Sequence, residues 1–270
     1  VSAVHILLPP SEGKHPGGRG RPLTLDGPLG AAREQLLDAL DKLLTEDPPV
    51  AAAALLLPPG VAADALEKNR NVRTSRTVPA LRRYGGVVYD GLDAAGLSPA
   101  AATLAGRSIH VFSGLLGVVR GDEAVPDYRV PAKAALPGLG IAGTFWRPVL
   151  SEVLPQRFAR GLVLDLRSSD YTAMWKPDER TAGRVVTVRV LSPAPSGKQA
   201  VISFNSKYAK GRLAAALLEA SAAGRPVGAI EDVAREWEGI GERAEQTGPT
   251  HLELYTGPWQ PVTRQRAPRD

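Results

Sequence analysis

Apolar positions along the chain alternate between two periods. Val4, Ile6 and Leu7 mark a short strand over 3–8 that stops at Pro9-Pro10. From 29 to 44, Leu36, Leu37, Leu40, Leu43 and Leu44 recur at helical spacing, and the acidic, Pro-rich run Glu46-Asp47-Pro48-Pro49 predicts the stop. A second helix is predicted over 61–69, with Asp64, Glu67 and Lys68 on its polar side. Ser98-Pro99 has the form of a helix start with Pro at the first helical position, and that helix is expected to end near Gly106. Residues 108–112 read as a buried strand, followed by a turn and residues 115–120, and 145–154 as a short helix. The clearest buried strand is GLVLDL, residues 161–166. Strands over 184–191 and 199–205, joined by a Pro/Gly/Ser hairpin, lead to helices over 206–223 and 230–237 and a last strand over 252–255.

Strands that first alternate with helices and later pair as a hairpin predict an α+β chain of mixed α/β character, a single domain over 1–270 with a mixed sheet and surrounding helices. Within it, residues 15–28 are too rich in Gly and Arg for regular structure and read as a flexible arm or lid, and 260–270 as a disordered tail.

Composition narrows the chemistry. With no cysteine there is neither a disulfide framework nor a thiolate metal site, and His5, His15, His110 and His251 do not have zinc-site spacing. Neither metal nor cofactor is expected. The longest apolar runs, such as 50–59, fall short of the roughly 18–20 residues that span a bilayer, and 1–10 lack a basic-then-apolar signal pattern. A cytoplasmic protein with no membrane partner is the expectation. The formal charge is +5 with a pI near 9.6, which favours polyanions. The basic residues cluster: Lys68, Arg70, Arg73, Arg76, Arg82 and Arg83 lie close together, opposed locally by Glu67, and Lys207, Lys210 and Arg212 form a second group. A solvated face is the plain alternative for each.

Five stretches carry candidate chemistry. Ser11-Glu12-Gly13-Lys14 offers a hydroxyl, a carboxylate and an ammonium directly after the first strand. It is no P-loop, since His15-Pro16 follows where that motif enters a helix. Arg19-Gly20-Arg21-Pro22 has the form of an AT-hook core, which an Arg- and Gly-rich chain also produces by chance. Tyr84 and Tyr89 could stack a base or simply pack in the core. Asp165 would lie inside its strand and need a cation, with Arg167, Ser168, Ser169, Asp170 and Tyr171 at the strand's polar exit. Lys207 and Lys210, three apart at a helix start, are unfavourable side by side unless an anion sits between them, and a facing lysine is the natural partner for Asp165.

Taken together, VHILLPPSEGK, YGGVVYDGLDAAGLSP, VFSGLLGVVRGDEAVPDYRV, GTFWRPVL, GLVLDLRSSDYTAMW and VISFNSKYAKGRL, spread over residues 4–213 in this order, resemble the DUF328/UPF0246 family of peroxide stress proteins, in the form of its actinobacterial branch. The resemblance implies a single-domain fold of unusual topology with a basic cleft and a helix-hairpin-helix element. It also implies duplex or distorted DNA as partner, and a cytoplasmic role in limiting iron-linked oxidative damage. Carried over by motif, the anion-binding cleft takes Ser11, Glu12, Lys14 and Tyr89 from the early segments and Ser113, Gly114, Tyr128 and Arg129 from the middle. Asp165, Ser168, Tyr171, Lys207 and Lys210 complete it. Residues 113–117 are the stretch available for the hairpin, although the residues before it read as strand.

Two functions follow. The first is a DNA-binding stress protein that grips phosphates through Lys14, Arg129, Lys207 and Lys210. The second is an enzyme acting on a small nucleotide- or nucleoside-like substrate, by glycosidic-bond cleavage or lyase chemistry, with Glu12, Asp165, Lys207 and Lys210 as its acid, base and amine groups.

Overall fold

Leu7, Phe112 and Leu164 are fully buried, as are their neighbours Ile6, Val111 and Val163, so adjacent residues that point to opposite faces of a strand are both out of water. Strands buried on both faces are the mark of a parallel sheet covered by helices on each side. In the computed structural model, which describes residues 4–194 and 199–257, these strands form the middle of an eight-stranded mixed sheet. Its members are β1 (Val4–Leu8), β2 (Ile109–Ser113), β3 (Gly117–Arg120), β4 (Leu162–Asp165), β5 (Val185–Pro193), β6 (Gln199–Ala200), β7 (Arg243–Gly248) and β8 (His251–Tyr255). The order is β7-β8-β5-β4-β1-β2-β3, with β6 paired to the end of β5. β1 pairs in parallel with both β2 and β4, β5 with both β4 and β8, and the outer pairs β2–β3 and β7–β8 are antiparallel.

The helices are α1 (Gly30–Leu43), α2 (Pro48–Ala54), α3 (Pro59–Arg70), α4 (Val87–Leu92), α5 (Pro99–Ser108), α6 (Ala142–Arg157), α7 (Ser203–Ala222) and α8 (Ile230–Glu238), with single turns at 80–83, 169–172 and 179–182. The mixed α/β single domain expected from the pattern is the fold found. Ser98 caps α5 as its sequence predicts, its hydroxyl accepting from the Ala101 amide. The site depends most on the crossing of α4 and α7. There, a Cβ on Gly211 would come within 2.0 Å of the Val88 carbonyl, and one on Gly91 within 2.2 Å of the Tyr208 carbonyl. Backbone meets backbone at this crossing, which fixes the start of α7 against the segment carrying Tyr89.

The first helix ends at Leu43, before the Pro-rich stop at 46–49 as expected, and Pro48 and Pro49 then begin α2, since no amide donor is needed in its first turn. Two local expectations change. The strand expected over 199–205 pairs only at Gln199 and Ala200, and α7 starts at Ser203. Its apolar Val201 and Phe204 are exposed, so no second layer rewards an extended form there. β7 was not anticipated: its polar sequence RAEQTG has one partly covered face on an edge strand. Residues 15–28 contain no helix or strand but are tied to the segment 76–84 at several points, and the tail expected at 260–270 lies outside the described residues. Among the described residues no single helix is long and apolar enough to cross a membrane.

Candidate functional site

β1 and β4 are neighbours, yet the chain leaves β1 toward β2 on one side and leaves β4 toward β5 on the other. Connections that depart in opposite directions open a crevice beyond the carboxyl ends of the two strands, where α/β sheets bind ligands. Residues 9–14 form one wall and 165–171 the other.

On the first wall the backbone of Lys14 makes a bridge with Tyr84, and the His15 amide donates to the Arg83 carbonyl over 2.8 Å. The stem of Lys14 is partly exposed, but its ammonium is enclosed. It donates to the Ser11 carbonyl at 3.0 Å and lies 4.3 Å from the centre of the Tyr128 ring and 5.4 Å from that of Tyr84. Burial lowers its pKa to about 8, partly opposed by Glu12 and Asp127 and reinforced by Arg129 and Arg83. Behind it runs a chain of hydroxyls: Tyr84 and Tyr128 are 2.7 Å apart, and Tyr128 and Ser113 are 2.5 Å apart. The Ser113 oxygen also accepts the amides of Leu115 and Leu116. Tyr89 donates to the Pro9 carbonyl at 2.9 Å and stacks near Tyr84, with ring centres 5.8 Å apart. Burial raises the pKa of all four tyrosines of the site, Tyr84, Tyr89, Tyr128 and Tyr171, so they stay neutral donors.

On the second wall Asp165 is buried, but its cation is Arg167, two residues on, not a lysine of a facing segment. The pair is bidentate at 2.8 and 2.6 Å, and the guanidinium also donates to the carbonyls of Tyr171 and Trp175 and lies 4.3 Å from the Phe112 ring centre. Lys210 does reach this wall: it donates to the Arg167 carbonyl at 3.3 Å. Burial lowers its pKa and the Asp165 charge partly restores it. Ser168 precedes the turn at 169–172, where its carbonyl accepts the Tyr171 amide, and Asp170 pairs with Lys133 at 2.8 Å. Tyr171 joins the walls, since the charge of Glu12 is close enough to add to the burial effect on its hydroxyl.

Glu12 reaches Arg129 at 3.5 Å. Arg129 is set by Asn69, whose fully buried side chain donates to its carbonyl at 3.0 Å and accepts its amide at 2.8 Å. Neither Asn69 nor Asp127 stands out in the sequence, because each is one polar residue in an unremarkable polar stretch.

The structure thus gathers Ser11, Glu12, Lys14, Tyr89, Ser113, Tyr128, Arg129, Asp165, Ser168, Tyr171 and Lys210 around one crevice. Lys207 is exposed at the start of α7 and makes no contact with Asp165 or the 11–14 turn. Gly114 is packed away: a Cβ there would meet the Val130 carbonyl at 2.4 Å, and its own carbonyl accepts the Trp146 indole N–H. Residues 113–117 are the buried turn of the β2–β3 hairpin, flanked by strands and not by helices. Arg212 is committed to Glu242 at 2.7 Å.

The family described as peroxide stress protein YaaA matches residues 4–236 of this chain. A UPF0246 protein of Streptomyces coelicolor is 46% identical over 218 residues, covering 79% of this chain and 82% of its own length. One from Corynebacterium efficiens is 35% identical over 240 residues, covering 85% and 91%. With every strand and helix that shapes the crevice inside the matched stretch, the chain belongs to the peroxide stress protein YaaA family, the UPF0246 proteins.

Proposed function

We propose that this protein serves the peroxide stress response by binding nucleic acid, admitting one nucleotide unit of a duplex or distorted strand to the crevice between β1 and β4. The observation that carries the reading is the enclosed Lys14 ammonium on the Tyr128 ring, with Arg129 close by and Lys210 on the opposite wall at the Arg167 carbonyl. The cations suit a phosphate, while the buried Tyr84 and Tyr128 rings back the Lys14 ammonium. Glu12 is held toward Arg129, which reduces its repulsion of a phosphate. Titration of duplex and bulged DNA at two salt concentrations tests this. Binding should weaken with salt and fall in Lys14→Ala and Lys210→Ala, while Lys207→Ala should change it least. Absence of binding at low salt, or indifference to Lys14 and Lys210, rejects the reading.

A second reading, an enzyme on a nucleotide- or nucleoside-like substrate, is favoured by one observation: the Lys14 amine, with a pKa near 8, has an appreciable free-base fraction near neutral pH. Asp165 is occupied by Arg167 and Lys207 is exposed, so Lys14 is the group to test. Its nitrogen would add to a sugar aldehyde carbon and, with loss of water, form an imine. Borohydride would reduce that imine to a stable adduct on Lys14, and a Lys14→Arg variant would give none. Failure of the wild type to trap a ring-opened sugar rejects lyase chemistry.

A further inference from the structure

Half of the basic window at 67–83 is consumed inside the fold. Lys68 pairs with Asp64 and Asp127, and Arg73 with Glu34, Asp38 and Asp41. Arg83 is fully buried and donates to the carbonyls of Val125, His15, Gly17 and Arg76. Arg70, Arg76 and Arg82 remain exposed, and none has a carboxylate partner among the described residues; Arg76 and Arg82 lie on one groove. Opposite them lies the segment 16–22. The Gly20 amide donates to the Thr77 carbonyl at 3.0 Å, and the Thr77 hydroxyl donates to the Arg21 carbonyl at 2.7 Å. A Cβ on Gly18 would meet the Arg76 carbonyl at 2.7 Å, and one on Gly20 the Thr77 hydroxyl at 2.5 Å. The glycines are what let this segment lie flat on residues 76–78, and so hold Arg19 and Arg21 outward and without ion-pair partners among the described residues.

The result is an open groove of about 790 Å³ lined by Arg19, Arg21 and Arg82, with Arg76 at its edge. Asp122, the one acid lining it, is already bound by Arg120 at 2.9 Å. Arginines with no carboxylate to neutralise them, held on a backbone that is fastened at two points, match the phosphates of a nucleic-acid strand. Along the chain the groove begins at Pro16, two residues beyond Lys14.

We propose that Arg19, Arg21, Arg76 and Arg82 form a phosphate track for duplex DNA, separate from the crevice between β1 and β4 and extending its footprint; the track rests on the nucleic-acid reading of that crevice. An AT-hook needs its Arg-Gly-Arg backbone free to enter the minor groove. Here that backbone is hydrogen-bonded to Thr77, so the arginines contact phosphates and discriminate little between base sequences.

The test is binding of the full chain to a fluorescent 20-base-pair duplex across a salt series, with Arg19→Ala/Arg21→Ala, Arg19→Lys/Arg21→Lys and the wild type compared. Loss of two phosphate contacts lowers the slope of log affinity against log salt by about 1.8. The alanine pair should show that loss, the lysine pair should keep the slope, and binding of a mononucleotide should match wild type in both. An unchanged slope in the alanine pair, with wild-type binding and its dependence on Lys14 intact, overturns the track and leaves the crevice reading standing. A preference for A·T tracts that vanishes in the alanine pair indicates minor-groove entry and also overturns it. No duplex binding by the wild type at low salt removes both.

Discussion

The ammonium of Lys14 sits 4.3 Å from the centre of the Tyr128 ring, with no carboxylate among the described residues close enough to form an ion pair. The ring's negative face offsets part of the desolvation cost, and the remainder appears as a pKa near 8. The unfolded chain holds this proton to a pKa near 10.5, so between those values it binds more protons than the native state and stability rises with pH. The buried tyrosines act the other way above about pH 10, where the unfolded chain ionises them first. Chemical unfolding at pH 7.5 and 9.5 should therefore show the wild type gaining on the order of 1 kcal/mol relative to Lys14→Met. Equal gains in both proteins would mean that Lys14 titrates normally.

Asp165 and Arg167 are both buried and their side chains share two hydrogen bonds, so removing either strands the other. Arg167→Met should lower stability by about 3–5 kcal/mol, and Asp165→Asn on that background should recover part of it. A denaturant double-mutant cycle gives the coupling, and purely additive losses would contradict the pair's tight geometry.

At the α4–α7 crossing there is no room for a methyl group on Gly211. Gly211→Ala should force the helices apart and cost about 1–3 kcal/mol or more, although alanine is the better helix former. Gly183→Ala, which meets nothing within 4 Å, is the comparison. A Gly211→Ala melting temperature equal to wild type would show that the crossing yields freely. A shift in ligand affinity with that loss would trace Lys210 placement to the crossing.

His5 and His110 face one another on adjacent strands with ring nitrogens 3.1 Å apart, packed against Phe158, and the Nδ1 of His110 has no hydrogen-bond partner among the described residues. Burial lowers both pKa values, and for His110 the charge of His5 adds to the effect. Their folded values lie below the unfolded value of about 6.5, so their stabilising contribution is present above that pH and is lost as pH falls below it. His110→Leu should flatten the loss of stability between pH 6.5 and 5. An unchanged acid profile would place the acid sensitivity elsewhere.

Much of the frame was legible because its signals are local. The helical leucines of α1, the Ser98-Pro99 start of α5 and the apolar run of β4 each point one way. So was most of the crevice, since Ser11, Lys14 and Tyr171 sit just past strands that the pattern locates. Partner choice was harder to read. Asp165 took Arg167 because a guanidinium two residues on can fold back to it, whereas Lys210 must reach across from α7 and finds a carbonyl. Asn69 was invisible because its importance comes from meeting Arg129 across sixty residues of sequence. Lys207 and Lys210 sit on adjacent positions of one helical face, and the close crossing of α4 and α7 at Gly91 and Gly211 goes with Lys210 turned inward and Lys207 exposed.

Arg83 holds four carbonyls from three stretches of chain, and those stretches carry Lys14, Tyr84 and the arginines at 19 and 21. Their fluctuations are consequently linked: releasing one guanidinium would let both anion-facing regions loosen together. Amide exchange at His15, Gly20 and Tyr84 should then proceed at a common rate, as one cooperative unit that opens before the sheet does.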